Sequence, residues 1–115
     1  MKDYYSLFIE LSLQQCTGID YADKLKVKAH NKASKKLGQL QKEMKQIDCK
    51  EILYNLLNHP DDRVKVNAAS FCLRLGVWHE QAVATLKSII DYSDDSTICF
   101  AAKMLLQGYI EIQSY

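Results

Sequence analysis

The stretch Leu56-Leu57-Asn58-His59-Pro60-Asp61-Asp62-Arg63-Val64, followed by Ala68-Ala69 and Leu73, decides the fold. Ile52, Leu53, Leu56 and Leu57 recur at helical spacing, so the chain enters the stretch as a helix. Pro60 ends that helix, because the residue before a proline is pushed out of the helical region. Asp61 then offers a carboxylate to the free N–H groups of a second helix, which runs to Leu75 before Gly76. The stretch is a helix pair closed by a tight Pro/Asp turn.

Moving outward, the same pattern returns 33 residues later without a gap. Leu53, Leu56 and Leu57 fall on Leu86, Ile89 and Ile90; Asp61-Asp62 falls on Asp94-Asp95, Ala68-Ala69 on Ala101-Ala102, and Leu73 on Leu106. A weaker copy lies 36 residues upstream, where Asn31-Lys32-Ala33-Ser34 and Leu37 match Asn67-Ala68-Ala69-Ser70 and Leu73. Paired alanines let neighbouring helix backbones approach, with larger residues filling the space around them. Repeats of this length in a helical chain mean stacked helix pairs, and three is the minimum for a stable stack.

The flanks extend the pattern. Asp3 caps a first helix carrying Tyr4, Leu7, Phe8 and Leu11, which stops before Thr17-Gly18. Asp20 opens a long helix to about residue 46. Its apolar stripe is Tyr21, Leu25, Ala29, Ala33, Leu37, Leu40, Met44 and Ile47. Gly38 in its interior lowers helix propensity by about 1 kcal/mol. Asp48 and Glu51 have capping-box spacing at the start of the third helix. A fifth spans about Trp78–Asp91, burying Ala82, Val83, Leu86, Ile89 and Ile90. A sixth, capped by Ser93 or Asp94, ends near Gly108–Ile110.

The 115 residues make one domain, 1–115, with the composition of a soluble globular protein: 48% hydrophobic and 25% charged. One Pro and four Gly are too few for the turns of an all-β fold. Asp3 and Glu10 interrupt any secretory apolar region, and no run is long enough to span a membrane, so a cytoplasmic chain is expected. Cys16, Cys49, Cys72 and Cys99 lack C-x-x-C spacing and read as small buried hydrophobes, with no metal and no cofactor expected.

The turn and second helix at residues 56–73 resemble a HEAT-type repeat, and the whole chain is similar to small bacterial HEAT-like domains of unknown function. The likeness is good over residues 52–107, weak over 20–50 and negligible in the first helix. It implies an all-α solenoid of about three stacked antiparallel helix pairs, five to six helices, right-handed and used as a binding scaffold. No catalytic residues carry over. Small bacterial proteins of this kind that lie beside toxin genes act as immunity proteins, which implies a protein that binds and neutralises a cognate toxin domain.

The residues themselves offer little chemistry. The aspartate pairs open helices at the same point of two units, so they read as caps. His79-Glu80 lacks H-E-x-x-H spacing, and there is no phosphate-binding glycine loop; no enzyme is expected. Charge is more informative. Residues 23–50 hold nine Lys against Asp23, Glu43 and Asp48, so this segment carries +6 in a chain of net charge +1. Lys24, Lys28, Lys35 and Lys42 fall within about 40° of one another on a helical wheel. In a stack of this type the second helices line a concave face. Lys28, Asn31 and Lys35 would join Arg63, Asn67, Ser70 and Arg74, and then Ser96, Phe100, Lys103 and Gln107, with no carboxylate among them. Asp61, Asp62, Asp94 and Asp95 would line an acidic edge with Asp20.

Two partner-binding surfaces are therefore expected for a protein partner, a toxin domain being the most specific. One is the concave face with Lys28, Asn31, Lys35, Arg63, Asn67, Arg74 and Lys103; the other is the acidic edge with Asp61, Asp62, Asp94 and Asp95. A basic concave face equally suits nucleic acid, against which stand the near-neutral total charge and only two Arg. No membrane partner is expected, and the chain reads as a monomer or weak dimer. The first helix is apolar nearly all round, so it is either covered by the second or sticky.

Overall fold

The computed structural model describes residues 3–14 and 24–113. They form six helices and, among the described residues, no strand: α1 (Tyr4–Gln14), α2 (Lys24–Met44), α3 (Lys50–Leu57), α4 (Asp62–Leu75), α5 (His79–Tyr92) and α6 (Ser96–Gln113). The expected stop at Thr17-Gly18, the cap at Asp20, Cys16 and Tyr21 lie outside the described residues, as do the side chains of Lys24, Leu25 and Ala29. Among the described residues, no helix is long and apolar enough to cross a membrane.

The termini follow local chemistry. Asp3 accepts from the Ser6 backbone N–H (3.1 Å) and hydroxyl (2.8 Å), which holds its carboxyl below the usual range and starts α1. Asp61 accepts from Arg63 N–H (2.9 Å) and Val64 N–H (3.3 Å) at the start of α4. That helix closes on Gly76 in the left-handed region (φ 79°), where Gly76 and Val77 both donate to the Cys72 carbonyl. The expected capping box at α3 does not form. Cys49 holds the N-cap position without a side-chain bond, and Asp48 instead accepts from Lys50 N–H at 3.3 Å. Trp78 starts α5 in the left-handed region (φ 51°), held by indole N–H donation to the Lys50 carbonyl (2.8 Å) and by the Tyr54 ring 5.0 Å away.

The cap of α6 corrects the repeat. Asp95, not Ser93 or Asp94, accepts from Thr97 N–H (2.9 Å) and Ile98 N–H (3.2 Å), reproducing the Asp61 geometry. The last pair therefore carries one extra residue between its two helix registers, because α5 runs on to Tyr92, two residues past the counterpart of Leu57, while its turn is one residue shorter. First helices keep the 33-residue register, with Leu53 and Leu86 both fully buried. Second helices are offset by one more, so buried Val64 corresponds to buried Ile98 and buried Ala68 to buried Ala102. Counterparts of Arg63, Asn67, Ser70 and Arg74 are then Thr97, Ala101, Met104 and Gly108, not Ser96, Phe100, Lys103 and Gln107.

One buried cluster draws on all six helices. α4 sits at its centre, packed against α1, α3, α5 and α6. Its Ala68 and Ala69 are fully buried, which brings neighbouring backbones close, while Val64, Val66, Phe71 and Cys72 fill the space around them. The first helix is covered except at its end, where Leu13 is exposed: Phe8 is fully buried, Leu11 nearly so, and Tyr4, Tyr5, Leu7 and Ile9 pack on the core. α1 lies between α2 on one side and α3 and α4 on the other. Ala33, Leu37, Leu40 and Met44 form the buried stripe of α2, but Ile47 lies past the helix end and is exposed. Burial pushes the Cys72 thiol up to about 12, with Cys49 adding to the shift, and raises Cys49 as well. Half-buried Cys99 directs its thiol at the carbonyls of Ile89 (3.4 Å) and Ser93 (3.3 Å).

Candidate binding surface

The expected continuous concave face is not assembled, because α4 is the central helix and its side is occupied. Asn67 is half-buried, and its amide donates to the fully buried Ser12 hydroxyl of α1 at 2.9 Å. Arg63 is half-buried with an unpartnered Nε; burial lowers its pKa, opposed by Asp95 and Asp61. Lys28, Asn31 and Lys35 are exposed on α2, and Lys103 is exposed on α6, in a different row from Arg63 and Arg74.

The acidic edge is assembled in part. A cleft of about 400 Å³ brings Asp61, Asp62 and Asp95 together with Arg63, Ser12, Leu13, Pro60 and Ile98. Two of its carboxylates, Asp61 and Asp95, accept the helix-cap hydrogen bonds and also flank Arg63, so the cleft holds three acids against one cation. Asp94 is exposed and does not line it.

The structure does build a basic groove, of about 350 Å³, between α2 and the end of α4. Lys35, Lys42, Lys45 and Arg74 line it with Ser34, Gly38, Gln39 and Gln41, and no carboxylate is among them. Arg74 is held from below: its Nη2 donates to Oε1 of Gln41 (3.0 Å), a side chain only 9% exposed, and its guanidinium stands 5.7 Å from the Phe71 ring centroid. Lys42 sits in the last turn of α2 and Lys45 just past its end, where the negative pole of the helix dipole reduces the repulsion of gathering cations. Gly38 forms the floor, and a Cβ built on it meets nothing within 4 Å.

Arg74 also lines a second groove, of about 520 Å³, between α4 and α6. Its walls are Leu73, Leu75, Met104, Leu105 and Tyr109, with His79 at one end hydrogen-bonded to the Tyr109 hydroxyl at 3.0 Å. Gly108 lies here, inside α6 and not at its end as expected, again with nothing within 4 Å of an added Cβ.

Of the expected residues, Lys35 and Arg74 meet in the basic groove. Lys42 had appeared in the lysine stripe without being assigned to a surface, and Lys45, Gln41, Met104 and Tyr109 were not singled out for binding. Gly38 inside a strongly helical pattern was the available signal, since glycine there lowers helix propensity by about 1 kcal/mol. Among the described residues, no group of three His, Cys, Asp or Glu is placed to hold a metal ion.

Comparison with known proteins finds no match among curated proteins or solved structures. A family model does match, over residues 2–109, nearly the whole chain. The chain belongs to the family described as a domain of unknown function, DUF2019.

Proposed function

We propose that the chain is a non-catalytic protein-binding module, a HEAT-like stack of helix pairs of the immunity type, which docks on a cognate toxin domain and neutralises it. The observation that carries the reading is the basic groove: cations from two helices converge on one concavity that no carboxylate lines. Such a surface steers an acidic partner into register and rejects basic ones. The groove replaces the broader concave face as the docking surface, and Lys28, Asn31 and Lys103 become its surroundings.

Exposed ion pairs contribute at most about 1 kcal/mol each. Four of them supply about 4 kcal/mol, a millimolar interaction, so a tight partner must add apolar contacts. A nucleic acid would draw on the same cations through phosphate contacts and show steep salt dependence. The net charge of +1 and the two Arg of the chain favour the protein partner.

The test is affinity capture from nuclease-treated lysate of the native host, using the wild-type chain and Lys35→Glu/Lys42→Glu/Lys45→Glu. The expected result is one stoichiometric protein retained by wild type and lost by the variant, whose toxicity on expression is suppressed by co-expressing the wild-type chain. Retention of that protein by the variant would remove the groove from the reading. Recovery of only nucleic acid when nuclease is omitted would put nucleic-acid binding in its place.

A further inference from the structure

Two of the protein's glycines, Gly38 and Gly108, lie inside helices, where glycine is unfavourable relative to alanine. Neither is required by the protein's own packing or backbone. Both are in right-handed helix, and a side chain at either would point into open space. Glycine inside an element also permits a ligand to approach the backbone closely. Each of these glycines lines one of the two grooves, and Arg74 lines both.

Resting on the protein-binding reading, we propose that the two grooves are one track for a single segment of the partner, acidic at one end and bulky and apolar at the other. The acidic residues lie over Gly38, among Lys35, Lys42, Lys45 and Arg74. An aromatic or branched apolar side chain enters the second groove over Gly108, between Leu73, Met104, Leu105 and Tyr109. Charge complementarity selects this occupant: the first groove offers cations without an acid, and the second is walled mainly by apolar side chains. Met104, 53% exposed, is suited to the open wall, because its flexible thioether adapts to differently shaped side chains. Arg74, anchored by Gln41, marks the junction and fixes the order of acidic and apolar halves. A nucleic acid would use the first groove and leave the second empty.

The probes are fluorescein-labelled synthetic peptides read by fluorescence anisotropy. One has a Glu/Asp-rich half followed by a half containing Phe and Leu; the others are each half alone and the composite with its two halves blocked apart by a long Gly/Ser spacer. The composite is expected to bind at least about tenfold tighter than either half or the spaced form. Gly38→Leu and Gly108→Leu should each weaken it at least about tenfold without lowering the thermal midpoint. Gly38→Leu should also weaken the acidic half, and Gly108→Leu should leave that half unchanged.

A composite no tighter than the acidic half would overturn the continuous track while leaving the basic groove in place. Failure of both the composite and the acidic half to bind at protein concentrations up to about millimolar, the affinity that four ion pairs supply, would count against the protein-binding reading itself. Glycine variants that bind the composite as wild type does would overturn the close approach. Displacement of the composite from wild type by a single-stranded oligonucleotide, with no sensitivity to Met104→Asp, would show an anion groove alone and also overturn the track.

Discussion

Replacing Asp61, Asp94 and Asp95 singly by alanine tests the one-residue offset between the two helix pairs. Asp61 accepts two backbone N–H groups of α4 (2.9 and 3.3 Å), and Asp95 accepts the equivalent two of α6 (2.9 and 3.2 Å). Loss of such a cap costs about 1 kcal/mol, within about 0.5–2. Asp61→Ala should fall toward the upper end, since it also removes one of the two acids beside the half-buried Arg63 guanidinium. Asp94 is exposed, and its replacement should stay within about 0.5 kcal/mol of wild type. For a chain of this length, 1 kcal/mol moves the thermal midpoint by about 4 °C. Urea melts followed by far-UV circular dichroism resolve the three variants at equal slope, so midpoints compare directly. Asp94→Ala as destabilising as Asp95→Ala would refute the offset and restore the ungapped register.

Leu53→Ala and Leu86→Ala, at equivalent fully buried positions of the two units, should each lower stability by about 2–5 kcal/mol in the same melts. A loss under 1 kcal/mol at either would place that residue outside the core. Gly38→Ala and Gly108→Ala, with open space above each, should raise stability by about 0.5–1 kcal/mol; a loss would reveal a packing need for glycine. Cys72 has a folded pKa raised from 9.0 to about 12 by burial, so above pH 9.0 the unfolded chain releases the proton first. Its contribution to stability is fully present below pH 9.0 and is lost as pH rises toward 12, by about 1.4 kcal/mol per pH unit. Urea midpoints of wild type should therefore fall more steeply from pH 9 to 11 than those of Cys72→Ala, and parallel curves would contradict it.

Most helix boundaries were legible because they depend on near neighbours. Pro60 and Gly76 act within a turn of their own position, and Asp3 and Asp61 bond N–H groups three residues away or fewer. Two signals misled. Asp48 and Glu51 have the spacing of a capping box, yet Cys49 takes the N-cap position and Asp48 closes a shorter turn on Lys50. Asp94 and Asp95 adjoin, so the ungapped 33-residue match places the cap at Asp94; the position depends on where α6 begins, which Ile98 and Ala102 settle by being buried. Gly108 resembled a helix stop, but α6 continues through it to Gln113.

The sequence alone determined the helical class, the positions of the helices, their buried stripes and the position of the lysine-rich segment, since each follows from spacing along a single chain. Which faces remain open was decided only by tertiary structure. α1 docks on α4 and binds Asn67 through Ser12, while burial and neighbouring acids occupy Arg63, so a row that looks outward on a helical wheel is largely enclosed. Conversely, Gln41 of α2 draws Arg74 of α4 alongside Lys35, Lys42 and Lys45, a meeting that no periodicity within one helix can specify. A helix has four or more sides, and its own residues indicate which are apolar; only the neighbours packed against it determine which polar side is left for a partner.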